Sequence, residues 1–88
     1  MTSTSHPAAR VRPEFSLGEA PVRTPLTLRR SDGTADFRRR LSALGLRVGA
    51  RVTVVHQTVG GGRIVAVAGA RIALDRDVLA RLVVESAA

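Results

Sequence analysis

The sequence predicts a mainly β protein, a small closed barrel of about five short strands with one short helix after the first strand. Apolar and polar residues alternate in several short runs, which is the period of a strand with one buried face. Glycines separate these runs and supply the turns. The apolar side chains are almost all aliphatic, with two Phe and no Trp or Tyr, and β-branched residues favour strands. Closure into a barrel would remove the exposed edges of so small a sheet.

The expected strands are short and closely spaced along the chain. They cover residues 26–29, 51–56, 63–68, 71–74 and 82–85. A tight hairpin is expected at Ala68–Ala70, because the two flanking runs are separated by so few residues. A single helical turn is expected over 75–80, with Asp77 as its N-cap.

A helix is predicted over residues 36–44. Phe37, Leu41 and Leu44 recur at i, i+4 and i+7, which places them on one apolar face. Asp32 and Thr34 are both plausible N-cap residues for this helix.

The end of the helix has a specific signature. Gly45 suits the C′ position, where a positive φ is common, and Leu41 and Leu46 are then spaced for the apolar contact of a Schellman motif.

Residues 1–23 are predicted to be a flexible tail rich in Pro, Ser and Arg, and residues 24–88 to be the barrel domain. Three of the four prolines precede residue 24, and proline fixes φ and removes a hydrogen-bond donor. Phe15 and Leu17 are candidates to anchor the tail on the barrel.

Composition argues against several classes of function. The chain has no Cys, hence no thiol nucleophile or thiolate metal site, and its only histidines are His6 and His56. His56 with Asp75 or Asp77 would bind a metal weakly only if folding brought them together. We therefore predict no enzyme activity, no metal site and no cofactor. The chain lacks both a membrane-spanning apolar run and the apolar core of a signal peptide, so cytoplasmic localisation is expected.

One family has a similar order of motifs. The run from Phe37 to Leu46, followed by Val48–Val52, resembles the R-x-L-x-x-L-G-L helix, V-G turn and valine-rich strand of the ferrous iron transport protein A (FeoA) family. The similarity continues through 60–62, 67–69, 72–74 and 82–84. The chain departs from the family where Gly62 and Arg63 stand in place of a frequent proline.

The resemblance implies an SH3-like barrel and a small accessory protein of ferrous iron uptake. Its expected partner is the cytoplasmic side of the iron-transporting membrane GTPase, ferrous iron transport protein B. The expected partner-binding residues are exposed arginines and the glycine loop, whose position between strands suits recognition: Arg38, Arg39, Arg47, Arg51, Gly60, Gly61 and Gly62.

The alternative function is that of a basic nucleic-acid-binding barrel. The formal net charge is +7, and all fourteen basic residues are Arg, which favours an acidic partner of some kind. Single-strand binding barrels usually stack bases on surface aromatic side chains. Because only Phe15 and Phe37 are aromatic, we expect nucleic acid to be the less favoured partner.

Overall fold

The computed structural model describes residues 13–87, which form six strands and two short α-helices. In chain order they are β1 (Glu14–Ser16), β2 (Leu26–Ser31), α1 (Ala35–Ala43), β3 (Arg51–Gln57), β4 (Arg63–Val67), β5 (Ala70–Leu74), α2 (Arg76–Ala80) and β6 (Leu82–Ser86). A 3₁₀ turn, Val59–Gly61, connects β3 to β4. The five predicted strands and the helix are confirmed, and β1 is an additional strand.

The strands form one antiparallel sheet in the order β1-β6-β2-β3-β4-β5. The sheet is not closed, because β1 and β5 lie at its two edges and do not pair with each other. The closed barrel predicted from the sequence is therefore wrong in this respect. Register shifts at Leu28/Arg30 and at Val54/His56 mark bulges, which bend a strand and increase its twist.

The core lies on one face of this sheet, as the alternating sequence predicts. On β3 and β4, Val52, Val54, Val65 and Val67 are buried, while the residues between them are more exposed. Leucines from β2, α1, β5, α2 and β6 and from the connecting segments also belong to the core, and Phe15 and Phe37 pack against it partly buried.

Helix α1 begins at a side-chain cap and ends one residue earlier than predicted. The Thr34 hydroxyl accepts a hydrogen bond from the Phe37 N–H at 3.1 Å, so Thr34 is the N-cap. Leu41 is buried, but Leu44 is 48% exposed. The prediction that Leu44 belongs to the buried stripe is wrong, because Leu44 is the C-cap, and Leu46 enters the core after it.

The predicted Schellman ending of α1 is confirmed. The Gly45 N–H donates to the Ser42 carbonyl and the Leu46 N–H to the Leu41 carbonyl, both at 2.9 Å. Gly45 has a φ of 93°, and a side chain there would also meet a neighbour: an added Cβ would lie 3.0 Å from the Cβ of Ala68. Gly45 thus serves both the turn and the close approach of α1 to the β4–β5 turn.

Gly45→Ala is expected to lower the free energy of unfolding by about 2 kcal/mol. The alanine would have to adopt a left-handed backbone conformation, and its Cβ would lie too close to Ala68. Gly69→Ala is the matched control, since Gly69 has a φ of 79° with no atom within 4 Å of an added Cβ. It should cost about 1 kcal/mol. Urea titrations of both variants measure the difference, and equal midpoints would show that the contact with Ala68 is unimportant.

The residues before β2 form part of the fold. We call residues 14–25 the N-terminal strap. β1 pairs with β6, and Leu17 and Ala20 are 0% and 2% exposed. The Arg23 N–H donates to the Val54 carbonyl at 2.7 Å, so the strap runs from β6 across to β3.

The boundary predicted at residue 24 is therefore too late, because residues 14–23 already pair and pack with the rest of the fold. Of the two candidate anchors, Leu17 is fully buried and Phe15 is half-buried. The flexibility predicted for residues 1–12 lies outside the described residues.

Helix α2 is capped by Asp75 and not by Asp77. The Asp75 carboxylate accepts a hydrogen bond from the Val78 N–H at 3.0 Å, while Asp77 lies in the first turn of the helix. The N-cap lies two residues before the predicted one, because β5 ends at Leu74 and α2 starts directly after Asp75.

Candidate functional site

The excess of positive over negative charge comes from one part of the sequence. No Asp or Glu occurs between Asp36 and Asp75, and this acid-free segment, residues 37–74, contains seven arginines. The remaining seven arginines are balanced by the seven carboxylates of the chain, so the segment accounts for the whole formal net charge of +7. Its seven arginines are Arg38, Arg39, Arg40, Arg47, Arg51, Arg63 and Arg71.

Arg63 is the one buried arginine among the described residues, at 8% exposure. Its guanidinium donates to the carbonyls of Leu17, at 3.3 Å, and Ala20, and to the side-chain oxygen of Gln57 at 3.2 Å. All three acceptors are neutral. Arg63 therefore connects β4 to the N-terminal strap, and it is a structural residue and not part of an exposed site.

The three arginines on α1 already have partners. Arg38 donates to the Gly33 carbonyl at 2.7 Å. Arg39 and Arg40 both pair with the Asp36 carboxylate, at 2.9 and 3.1 Å. All three side chains are exposed, and exposed pairs of this kind contribute little, about 0.3–0.5 kcal/mol each.

Arg47, Arg51 and Arg71 differ from these, because no ion pair or side-chain hydrogen bond joins them to any residue within 13–87. Arg47 and Arg51 line a shallow cleft of about 430 Å³ that we call the basic groove. The other residues of the basic groove are small or apolar: Gly45, Val48, Gly49, Ala50, Val67 and Ala68.

The basic groove combines free positive charge with exposed apolar surface. Val48 is 65% exposed, and Leu44, next to Gly45 in the sequence, is 48% exposed. At the other side of the groove, Ala68 has a φ of 51°, a left-handed conformation that non-glycine residues adopt at a cost of about 1 kcal/mol. Such a groove can hold an apolar side chain while two guanidinium groups pair with carboxylates.

The predicted partner-binding residues do not form one site. Arg47 and Arg51 lie together in the basic groove, and Arg38 and Arg39 lie on α1. Gly60 and Gly62 line a second cleft with Thr58, Val59, Ala73, Leu74, Asp75 and Arg76, and the two clefts share no residue. Gly61 lies against Arg76, whose Cδ would be 3.3 Å from an added Cβ.

The residues considered for a weak metal site, His56, Asp75 and Asp77, do not form a metal-binding group within residues 13–87. His56 is exposed on β3, where it is opposite Ile64, and Asp75 is occupied as the cap of α2. Within residues 13–87, no group of three or more His, Cys, Asp or Glu side chains could hold a metal ion. His6 lies outside the described residues.

The opposite edge of the sheet, at β1, carries most of the acidic partners. Arg30 bonds to Asp32 at 2.8 Å and to Glu14 at 3.5 Å, and Arg29 lies 3.8 Å from Glu85. The hydrogen bond and charge of Asp32, with a smaller contribution from Glu14, raise the pKa of Arg30 above its usual range. Charges are thus paired at the β1 side and unpaired at the β3–β5 side.

No helix in the described part of the chain is both long enough and apolar enough to cross a membrane. The mainly β architecture, one antiparallel sheet with a helix after the first long strand, is that of a small SH3-like domain.

Comparisons with known proteins identify the family. The FeoA domain model matches residues 15–86. A crystal structure of an iron uptake regulatory protein, FeoA, is 25% identical, with a TM-score of 0.75 over 82% of this chain and 96% of that chain. FeoA of Stenotrophomonas maltophilia, a prokaryotic SH3 domain protein crystallised with zinc, is 32% identical, with a TM-score of 0.66 over 81% and 89%.

The chain therefore belongs to the FeoA domain family, a family of small proteins associated with ferrous iron transport. A manganese-dependent transcriptional repressor, 22% identical, shares the fold over 86% of this chain and 43% of its own, with a TM-score of 0.75. No curated protein sequence gives a significant match.

Proposed function

We propose that this protein is a non-enzymatic accessory protein of ferrous iron uptake that binds the cytoplasmic part of the iron-transporting membrane GTPase. The basic groove carries the proposal, because its two arginines have no partner within the described residues and flank the exposed Val48. Family membership supports the link to iron transport, and it points to the cytoplasm, where the GTPase domain of such a transporter lies.

The proposed contact is electrostatic and apolar at once. The acid-free segment contributes the whole net charge, so an acidic surface would be attracted over a range of about 10 Å at 0.1 M salt. Once in contact, carboxylates of the partner would pair with Arg47 and Arg51, and an apolar side chain would cover Val48. Arg38, Arg39 and the loop Gly60–Gly62 belong to the proposed contact only at its periphery, because they lie outside the groove.

Arg47→Glu with Arg51→Glu is expected to weaken binding to the purified cytoplasmic domain of the transporter at least tenfold, about 1.4 kcal/mol or more. Isothermal titration calorimetry measures the affinity. The control is Arg23→Glu with Arg81→Glu, which changes the net charge equally at two exposed positions outside the acid-free segment. Equal affinities of the two double variants would show that the groove is not the contact, and lack of binding by the natural protein would refute the proposed partner.

The alternative of nucleic-acid binding has the same charge in its favour, and the same variants test it. Phe15 and Phe37, the two aromatic residues, pack partly buried against the core. Binding of a single-stranded oligonucleotide that falls steeply with salt, and that is lost with Arg47→Glu and Arg51→Glu, would favour the alternative.

A further inference from the structure

The free edge of the sheet at β5 is a second candidate for binding, separate from the basic groove. β5 pairs with β4 on one side and has no strand on the other. Its pairing with β4 runs from Val67↔Ala70 to Arg63↔Leu74 without a register shift. β5 therefore lacks both a bulge and a proline, two of the devices that usually block the exposed edge of a sheet.

The turn between β4 and β5 determines which backbone groups are free. Ala68 and Gly69 both have a positive φ, 51° and 79°, as a two-residue type I′ turn requires. In such a hairpin Val67 and Ala70 form the first hydrogen-bonded pair, and bonded and non-bonded pairs then alternate. The backbone groups of Ala70, Ile72 and Leu74 consequently face β4, and those of Arg71 and Ala73 face outward.

These outward groups are accessible. Arg71 and Ala73 are exposed, and within residues 13–87 no turn, loop or cap hydrogen bond uses their backbone N–H or carbonyl groups. Beside the end of β5 lies the second cleft, which includes Ala73, Leu74 and the fully exposed Val59. An incoming chain would thus find two donors and two acceptors on β5, with a partly apolar cleft beside its end.

The charge at this edge indicates what kind of segment would fit. Strand pairing places Thr53, Ala66 and Arg71 in one row across β3, β4 and β5, and alternation puts their side chains on the outer face. Like the rest of the acid-free segment, these three strands contain no carboxylate. In a seventh strand, Asp or Glu opposite Arg71 would therefore stabilise the pairing most, since opposite charges across a strand pair attract each other.

The same charge disfavours a second copy of this chain. Twofold pairing of β5 with β5 would put both Arg71 side chains on one face of the joined sheet, within a few residues of each other. Like charges this close in adjacent strands are destabilising.

We propose that the free edge of β5 binds an extended acidic segment of another protein, which adds to the sheet as a seventh strand through the Arg71 and Ala73 backbone. This mode of recognition takes its affinity from main-chain hydrogen bonds and its specificity from alternate side chains. The inference is independent of the proposed transporter partner, because it concerns a different surface and any protein that presents such a segment.

The test is an NMR titration of the ¹⁵N-labelled full chain with the blocked peptide acetyl-Thr-Glu-Val-Glu-Val-Glu-Thr-amide. The amide protons of Arg71 and Ala73 are expected to shift downfield and to exchange with solvent several times more slowly at saturation. The same peptide with Lys in place of Glu should bind at least about tenfold more weakly.

Ala73→Pro removes one outward N–H without removing a bond to β4, and proline is tolerated at edge positions. It is expected to weaken peptide binding at least about tenfold, whereas Ala73→Thr, which retains the N–H, should bind like the natural protein. The proposal is overturned if the shifts map elsewhere or are absent, or if the Lys peptide binds equally. It is also overturned if Arg71 and Ala73 shift with protein concentration alone, which would identify a second copy as the occupant. Should Ala73→Pro fail to fold, the amide shifts of the natural chain decide the question.

Discussion

Arg63→Ala is expected to lower the free energy of unfolding by about 3 kcal/mol. The substitution leaves the buried Ala20 carbonyl without its donor from Arg63, leaves the Leu17 carbonyl with the Ala20 N–H at 3.4 Å, and removes one bond from the part-buried Gln57 oxygen. Each unsatisfied buried acceptor costs about 1–3 kcal/mol, although water that enters the vacated space offsets part of this cost. A domain of this size has a total free energy of unfolding of about 5 kcal/mol, so the loss is a large fraction of it.

Chemical denaturation monitored by circular dichroism measures this effect. Arg71→Ala is the control, because Arg71 is an exposed arginine on the neighbouring strand, and its removal should change stability by no more than about 0.5 kcal/mol. Arg63→Met separates packing from hydrogen bonding, since it fills much of the space without donating. If Arg63→Met were as stable as the natural protein, the hydrogen bonds to the strap would contribute nothing.

A chain that begins at Thr24 is expected to lose at least about 4 kcal/mol and to be largely unfolded at 37 °C. It lacks β1 and the buried Leu17 and Ala20, and it leaves Arg63 without two of its three acceptors. A chain that begins at Pro13 is the control, because it keeps every contact described above. Thermal melts of the two chains compare them directly, and equal melting temperatures would mean that the strap is dispensable.

The strands and helix could be predicted because each has a local signature. The alternation in β3 and β4 identified both the strands and their buried face, and Gly45 with Leu41 and Leu46 specified the end of α1. The helical period predicts a buried Leu44, because Leu44 continues the spacing of Phe37 and Leu41. The period alone does not show that the helix ends at Ala43, which leaves Leu44 as the C-cap.

The N-terminal strap could not be predicted in the same way. β1 has three residues, too few for a periodic pattern, and its partner β6 lies at the other end of the described chain. One signal in the sequence does indicate the strap. Arg63 alternates with Val65 and Val67, so it had to face inward and needed buried acceptors from another part of the chain.

The candidate site was predicted in part. The density of basic residues in that region predicts Arg47 and Arg51 as contact residues, and both line one groove. The separation of Gly60–Gly62 from that groove follows from strand pairing and not from local sequence. The exposure of Val48 and the free edge at β5 likewise depend on which elements are neighbours, so they required the three-dimensional structure.

The pairing of β1 with β6 has a consequence for how the protein folds. The first strand in the chain joins nearly the last one, Phe15 with Val84, so this contact closes a loop that spans almost the whole domain. Long loops are costly to close before other contacts form, and topologies rich in distant contacts fold slowly. We therefore expect β1 to pair late in folding, after β6 is in place, so that Leu17 is among the last core side chains to leave water.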